Sequence, residues 1–429
     1  MKRNIRPRAI ISLIAVILYP LGIMSASAAE YWPQFRGPAG DGHAGNAEVP
    51  LHWSETKNIA WKTAIHDRGW SSPVVWDDQI WMTTATPDGH EMFAVCCDLK
   101  TGRILHDKKV FEVRDPNEIH SLNSYASPTP VVEAGRVYVH FGTYGTACLD
   151  TDAAQVLWSR RDLNCDHYRG PGSSPVIHGD LLYLHYDGFD VQYVVALDKH
   201  TGETVWRTDR STEFGDIDGD FRKAYCTPIL IDVAGQSQLF SPGSQAAMAY
   251  DPKTGRELWK VRHTGFSSTA RPLYGHGLVF FHTGFGRGKV LAVRPDGRGD
   301  VTESHVAWKV SRSVPAKPSS ILVGARLYMV DDQGIATCLE AKTGETVWRE
   351  RLRGDYSASP ILAADRLYFF NQQGRAIVIR PGGEFQVLAT NELDEGCMAS
   401  PAVIGNGLLV RTETDLYRIE HQSATTSSE

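Results

Sequence analysis

Beyond residue 30 the 429-residue chain shows no long helical period, which excludes a helical bundle or an α-solenoid. It holds no C-x-x-C-H sequence for covalent haem, and no pair among its seven cysteines has zinc spacing. It has no surplus of basic residues. Its 44 Lys and Arg stand against 50 Asp and Glu, a balance unsuited to general binding of nucleic acid or of anionic membranes. The apolar run Ala9–Met24 is interrupted by Pro20 and Gly22 and falls short of the ~20 residues needed to cross a bilayer.

That run follows a basic start (Lys2, Arg3, Arg6 and Arg8) and precedes Ala26-Ser27-Ala28, a small-residue cleavage pattern. Residues 1–29 are therefore expected to be a signal peptide, with an uncleaved anchor as the alternative. No Cys stands at the cleavage site, so a lipid-anchored N-terminus is not expected. The mature chain should be periplasmic or secreted, without stable membrane insertion. Its balance becomes 40 basic against 50 acidic residues, or −10.

What the chain does have is repetition. An eleven-residue pattern, A-x-D-x-x-T-G-x-x-x-W, recurs at Ala196–Trp206, Ala249–Trp259 and Cys338–Trp348. It is altered at Cys148–Trp158, where Ala153-Ala154 replaces Thr-Gly, and at Cys96–His106, where His replaces Trp. A looser copy runs from Ala292 to Trp308. Between these lie Ser/Thr-Pro units, each followed by a strand, a short turn and a second strand. They start at Ser71, Ser127, Ser173, Thr227, Arg271, Ser319, Ser359 and Ser400. Apolar and polar residues alternate within them, as strands require. Eight units spaced roughly 40 to 55 residues apart predict an all-β, eight-bladed β-propeller of four-stranded antiparallel blades.

The odd strand out is Asn58-Ile59-Ala60-Trp61-Lys62, which precedes the first unit, while the last unit, Ser400–Glu420, has no Trp strand after it. Pairing the two would close the ring over residues 58–420 and remove exposed edges. Residues 30–57, rich in Gly and Pro but carrying Trp32, Phe35 and Trp53, are expected to pack as an arm on the propeller, and 421–429 to be a disordered tail. The repeated Trp residues (Trp61, Trp158, Trp206, Trp259, Trp308 and Trp348) are expected between blades, where each ring can bury ~150–250 Å². The seventh copy, near Val387, lacks its Trp and is expected to form the weakest junction. Cys96, Cys148 and Cys338 occupy the place of Ala196, Ala249 and Ala292 and serve as small packing residues. Cys96 and Cys97, adjacent on a strand, point to opposite faces and are read as two thiols. Cys165, Cys226 and Cys397 precede blade-opening strands and have no assigned role.

Strand order sorts the loops. If strands A to D run outward from the axis, the Thr-Gly turns and the A–B turns share one face. The D–A segments and the B–C loops share the other. Large polar residues gather in the second set: His120, Asn123 and Tyr125; Asp166, His167 and Arg169; Arg222 and Lys223; Arg271; and Asp187 in a B–C loop. Arg68, Trp70, Lys317 and Tyr356 fall in the same set. These are the candidate ligand-binding residues at the mouth of the central channel. A solvated face sealing the channel is the alternative. Arg169, Arg222 and Arg271 suit a small anionic ligand. Asp216, Asp218 and Asp220 alternate like a calcium loop, but Gly219 comes too early for an EF-hand and Thr227 stands where its Glu belongs.

The blade pattern and Ser-Pro openings resemble the eight-bladed pyrroloquinoline quinone (PQQ) propeller family. Trp32-Pro33-Gln34-Phe35-Arg36-Gly37-Pro38, followed by WKT and GWSSPVVW, is similar to secreted PQQ-like repeat proteins of planctomycete-type bacteria. The resemblance implies the fold but divides on function, since such rings serve both dehydrogenases and non-catalytic scaffolds. In the dehydrogenases it implies a quinone at the channel mouth with calcium and an Asp base, beneath a vicinal Cys pair in a loop. Here Cys96-Cys97 lies on a C strand, the calcium-binding Glu and Asn find no match, and there is no room for a substrate cap. In the scaffold branch, a lipoprotein of outer-membrane protein assembly carries a lipid-anchor Cys that has no counterpart here. The reading is an exported, non-catalytic scaffold or ligand-binding protein, with no cofactor expected and a small anion or an envelope protein as partner. The alternative is a PQQ- and calcium-dependent dehydrogenase of alcohols or sugars.

Overall fold

The computed structural model describes Met1 and residues 30–421. Apart from Met1 and His421, the expected signal peptide and tail lie outside these residues. The described chain is all-β but for two single-turn 3₁₀ helices, and its strands form eight antiparallel blades of four strands each. Blade 1 runs outward through Val74–Trp76, Gln79–Ala85, Glu91–Asp98 and Ile104–Glu112, designated strands A to D. Blade 8 takes A, B and C from Ala402–Ile404, Gly407–Arg411 and Asp415–Ile419, and its D strand from Ile59–Ala64. Trp61 pairs with Arg418 and Ala64 with Asp415, so the N-terminal strand closes the ring as the repeat count requires.

The Trp of each D strand rests on the C–D turn of the next blade. Indole Nε1 donates to a carbonyl of that turn: Trp61 to Leu99, Trp158 to Lys199, Trp206 to Pro252, Trp308 to Ala341 and Trp348 to Gly382, at 2.9–3.2 Å. The turn glycine admits the ring. At Gly255, φ is +71° and a Cβ would stand 2.5 Å from Cε3 of Trp206. Gly102, Gly202 and Gly344 meet Trp61, Trp158 and Trp308 in the same way. Opposite the Trp, strand C places a small residue: Cys148 faces Trp158, Ala196 faces Trp206 and Cys338 faces Trp348.

Each departure from the pattern follows from the turn ahead of it. Blade 2 has Ala154 in place of glycine, and blade 1 offers it His106, which stacks on Trp81 at 5.8 Å. Blade 5 replaces its tight turn with an insertion whose Gly299–Asp300 segment pairs in parallel with the D strand of blade 4. Trp259, deprived of a turn, is fully buried, stacks on Phe240 and donates to Gln238 Oε1 at 2.7 Å. Blade 8 has no C–D turn at all, because its C and D strands come from opposite ends of the chain, and blade 7 has Ala389 at the Trp position. That seam is filled by the arm. Trp53 stacks on Tyr368 and Phe370 in a cluster that also holds Ala389, Leu409 and Tyr417.

All seven cysteines are buried and unpaired. Cys96 and Cys97 face two different inter-blade clusters, which holds the vicinal thiols apart.

The arm does more than pack on the ring. Trp32 pairs with Val75 on the inner edge of blade 1, and Pro33 O accepts from Val132 N of blade 2 at 2.8 Å. Further on, His43 Nε2 contacts Leu322 O of blade 6, and Gly42 and Ala44 pair with Leu362 of blade 7. Blades 2 and 6 are opposite members of an eight-membered ring, so the arm crosses the axial channel and plugs it.

Candidate functional site

Above this plug the channel opens into a cavity of about 570 Å³. Its floor is Phe35 from the arm, and its lower wall is a ring of hydroxyls: Ser72, Thr129, Ser174, Thr227, Ser359 and Ser400. These are the residues two places before each A strand. All but Ser72 join blade to blade by accepting the backbone N–H of the preceding blade. Ser72 N donates to Thr129, Thr129 N to Ser174 and Ser174 N to Thr227, at 2.9–3.0 Å. The chain of bonds resumes from Arg271 N through Ser319 and Ser359 to Ser400. One gap falls where Arg271 occupies the Ser/Thr position, and a second falls between blades 8 and 1, where Ser72 Oγ is buried without a partner.

The upper wall comes from D–A segments, with Phe285 from a B–C loop. Trp70, Leu122, Phe266, Phe285 and Met398 present apolar surface, and Arg169, Lys223, Lys317 and His120 present basic groups against one carboxylate, Asp220. Lys223 is buried. Its ammonium binds the Asp220 carboxylate and the Asp220 carbonyl and lies 5.8 Å above the Phe266 ring. Burial, followed by repulsion from Arg169, pulls its pKa down to about 8. Arg169 is 43% exposed at the side chain, with Nη2 3.6 Å from Asp220 Oδ2. Burial and then the Arg169 and Lys317 cations hold His120 below its ordinary pKa. Lys317 Nζ also lies 3.5 Å from Asp332 Oδ1, so three cations face two carboxylates, and with its aromatic walls the site favours a negatively charged guest with a flat apolar body.

Of the residues singled out in the sequence, His120, Asn123, Arg169 and Lys223, with Trp70, Lys317 and Asp220, line this cavity together. Asn123 is committed to structure there, since its amide donates to Arg169 O and Pro171 O and fastens two loops to each other. The others lie elsewhere. Tyr125 is buried against Tyr144 and donates to Asn117 O. Asp166 accepts from Tyr168 N at the turn. His167 is buried, accepts from Thr143 N at 3.0 Å, and burial pulls its pKa down to about 4. It therefore does not titrate between pH 5 and 8. Arg222 spends its guanidinium on Ile217 O and Gly215 O of its own loop. Arg271 points into the plug.

Asp187 belongs to a buried network under the loops of blades 3 and 4. Its Oδ1 lies 2.7 Å from Arg210 Nε and its Oδ2 2.9 Å from His185 Nε2, and Arg210 also donates to Ser241 O. Burial opposes the carboxylate, but Arg210 and His185 hold its pKa below the usual range. The alternating aspartates do not converge. Asp218 caps a 3₁₀ turn by accepting from Asp220 N, and Asp220 is taken by Lys223. Among the described residues no three His, Cys, Asp or Glu side chains are grouped to hold a metal ion.

The floor and the hydroxyl ring were not singled out in the sequence. The hydroxyls double as repeat residues, and Phe35 reaches the cavity only because the arm crosses the channel. Trp70 and Lys317 carried the signal of their loop position.

Two overlapping segments, 51–208 and 190–427, match the family described as outer membrane protein assembly factor BamB. A stretch of the chain is 28% identical to methanol dehydrogenase [cytochrome c] subunit 1 of Methylobacterium organophilum, covering 32% of this chain and 23% of that relative. The chain thus spans less than a quarter of the curated relative it matches. Among solved structures, BamB from Moraxella catarrhalis aligns with TM-score 0.57 at 12% identity, over 84% of this chain and 99% of that one. Quinohemoprotein alcohol dehydrogenase from Comamonas testosteroni aligns with TM-score 0.66 at 12% identity, over 94% and 83%. These structural likenesses carry the fold. Because the two matched segments span nearly all of the ring, the chain belongs to the PQQ-like propeller family described as outer membrane protein assembly factor BamB.

Proposed function

We propose that this protein is an exported, non-catalytic propeller that binds a small anionic molecule with a planar or aromatic body at the channel mouth. The observation that carries this reading is the plugged cavity itself: cationic Arg169, Lys223 and Lys317 above, aromatic Trp70, Phe266 and Phe285 around, hydroxyls below. Its guest is held and oriented, with Lys223 positioned by Asp220 and water limited by the Phe35 floor. The family match also suits a role as an envelope scaffold, with the cavity as its ligand-sensing face.

The second reading, a PQQ- and calcium-dependent dehydrogenase, is favoured by the sequence match to methanol dehydrogenase. The aromatic and cationic walls suit a flat polycarboxylate such as PQQ. The donor set does not suit the calcium, since the cavity's single carboxylate is already paired with Lys223 and Arg169. Purified protein incubated with PQQ and calcium, then assayed for dye reduction with alcohols and sugars, separates the two. We expect no substrate-dependent turnover, and turnover would overturn the non-catalytic reading.

A further inference from the structure

The plug contains an arrangement that the cavity reading does not use. Arg36, from the arm, and Arg271, from blade 5, are 1% and 3% exposed. Among the described residues neither has a carboxylate within ion-pair distance. Arg36 Nη2 donates to Asp41 O at 2.7 Å, while its Nε and Nη1 are buried without a protein partner. Arg271 donates to Phe35 O and to Gln34 Oε1, while its Nε is likewise buried and unpartnered. His282 of blade 5, whose Nε2 bonds Ser320 Oγ at 2.8 Å, leaves its Nδ1 unpartnered as well. Burial depresses the Arg36 pKa to about 9, the Asp41 carboxylate opposes that shift and Arg271 adds to it, and Arg36 also bears on His282.

The loop between them is shaped around the two guanidiniums. A Cβ at Gly40 would fall 2.5 Å from Arg271 Cζ, and one at Gly42 would fall 2.7 Å from Arg36 Nη2. The two glycines have φ of +68° and +89°. Arginine stays protonated in proteins, so the plug encloses two positive charges. Asp41, outside ion-pair distance, offsets these charges only in part, buried charge is strongly unfavourable, and three guanidinium nitrogens beside a polar His nitrogen are donors without an acceptor.

We propose that Arg36 and Arg271 together bind one small monovalent anion of the size of chloride inside the channel plug, with His282 as a third donor. The anion neutralises the pair and fastens the arm to blade 5 at the point where an arginine interrupts the hydroxyl ring. The site lies beneath the Phe35 floor and does not depend on what fills the cavity above it.

The test uses the full mature chain. Crystals grown or soaked in sodium bromide are examined for anomalous scattering. The expected result is a bromide peak bonded to Arg36 and Arg271, and its absence from between them overturns the proposal. In solution, the thermal unfolding midpoint is measured in chloride and in gluconate at equal ionic strength. Chloride should raise the midpoint of the wild type in a saturable way. Arg271→Ser, which restores the repeat residue and removes one of the two cations, should abolish that difference. Equal midpoints in the two salts for the wild type, or an undiminished chloride effect in Arg271→Ser, would contradict it.

Discussion

The docking of Trp206 on Gly255 makes a quantitative prediction about what closes the blades on one another. Gly255→Ala places a methyl group 2.5 Å from Cε3 of Trp206 and 2.6 Å from Thr208 Oγ1. The indole must then withdraw, weakening its 2.9 Å bond to Pro252 O, and Thr208 loses its 2.8 Å bond to Gly255 O. Two costs add. The left-handed backbone at φ +71° disfavours alanine by ~1–2 kcal/mol, and overpacking costs ~1–3 kcal/mol. Gly235 supplies the control, because its φ is +80° and a Cβ there meets nothing within 4 Å. Gly235→Ala should therefore carry only the backbone cost. Urea unfolding of both variants, followed by tryptophan fluorescence and extrapolated to water, should place Gly255→Ala below Gly235→Ala by ~1–3 kcal/mol. Equal destabilisation would show that the indole does not hold the junction, and the account of every Trp and its exceptions would fail with it.

Four other outcomes follow. Burial lowers the pKa of His140 and His263 to about 3 and of His167 and His282 to about 4, so these rings stay neutral in the fold while the unfolded chain takes up protons below about 6.5. Their contribution is intact above that pH and is lost as pH falls toward 4, at up to ~1.4 kcal/mol per unit for each ring. An unfolding midpoint that does not move between pH 7 and pH 5 would contradict this. Arg210→Met leaves Asp187 buried without its cation and should destabilise the ring by ~3–5 kcal/mol in urea titrations, and a loss under 1 kcal/mol would refute the network's role. Trp53→Ala should cost ~3–5 kcal/mol by opening the seam between blades 7 and 8, measurable as a lowered urea midpoint. Arg222→Ala, whose guanidinium serves its own loop, should leave ligand affinity at the channel mouth within twofold of wild type in a direct titration.

The architecture was legible because the repeat states it many times. One copy of A-x-D-x-x-T-G-x-x-x-W is a weak signal, but several at one offset specify strand order, turn type and the closing strand. Even the irregular copies were informative, although their reason is visible only in space: Ala154 explains His106, and the missing turn of blade 8 explains Ala389. The site was legible only in part. Loop position brought His120, Asn123, Arg169 and Lys223 to one cavity. Loop position says nothing about where a side chain points, so Asp187, His167 and Arg271, drawn from the same segments, turn inward to partners of their own. The arm was the least legible element. Its contacts with blades 1, 2 and 7 are largely backbone bonds, and that with blade 6 is a single His43 side chain, and neither leaves a periodic trace.

The central claim is that the channel mouth binds a flat anion through Arg169 and Lys317. It is tested most directly by titrating PQQ, as an aromatic tricarboxylate probe, into purified protein while following the fluorescence of Trp70 and its neighbours. The account predicts saturable quenching at one site, weakened at least tenfold in the Arg169→Ala/Lys317→Ala double variant and relieved by raised salt. Quenching that never saturates, or an unchanged affinity in the double variant, would contradict it.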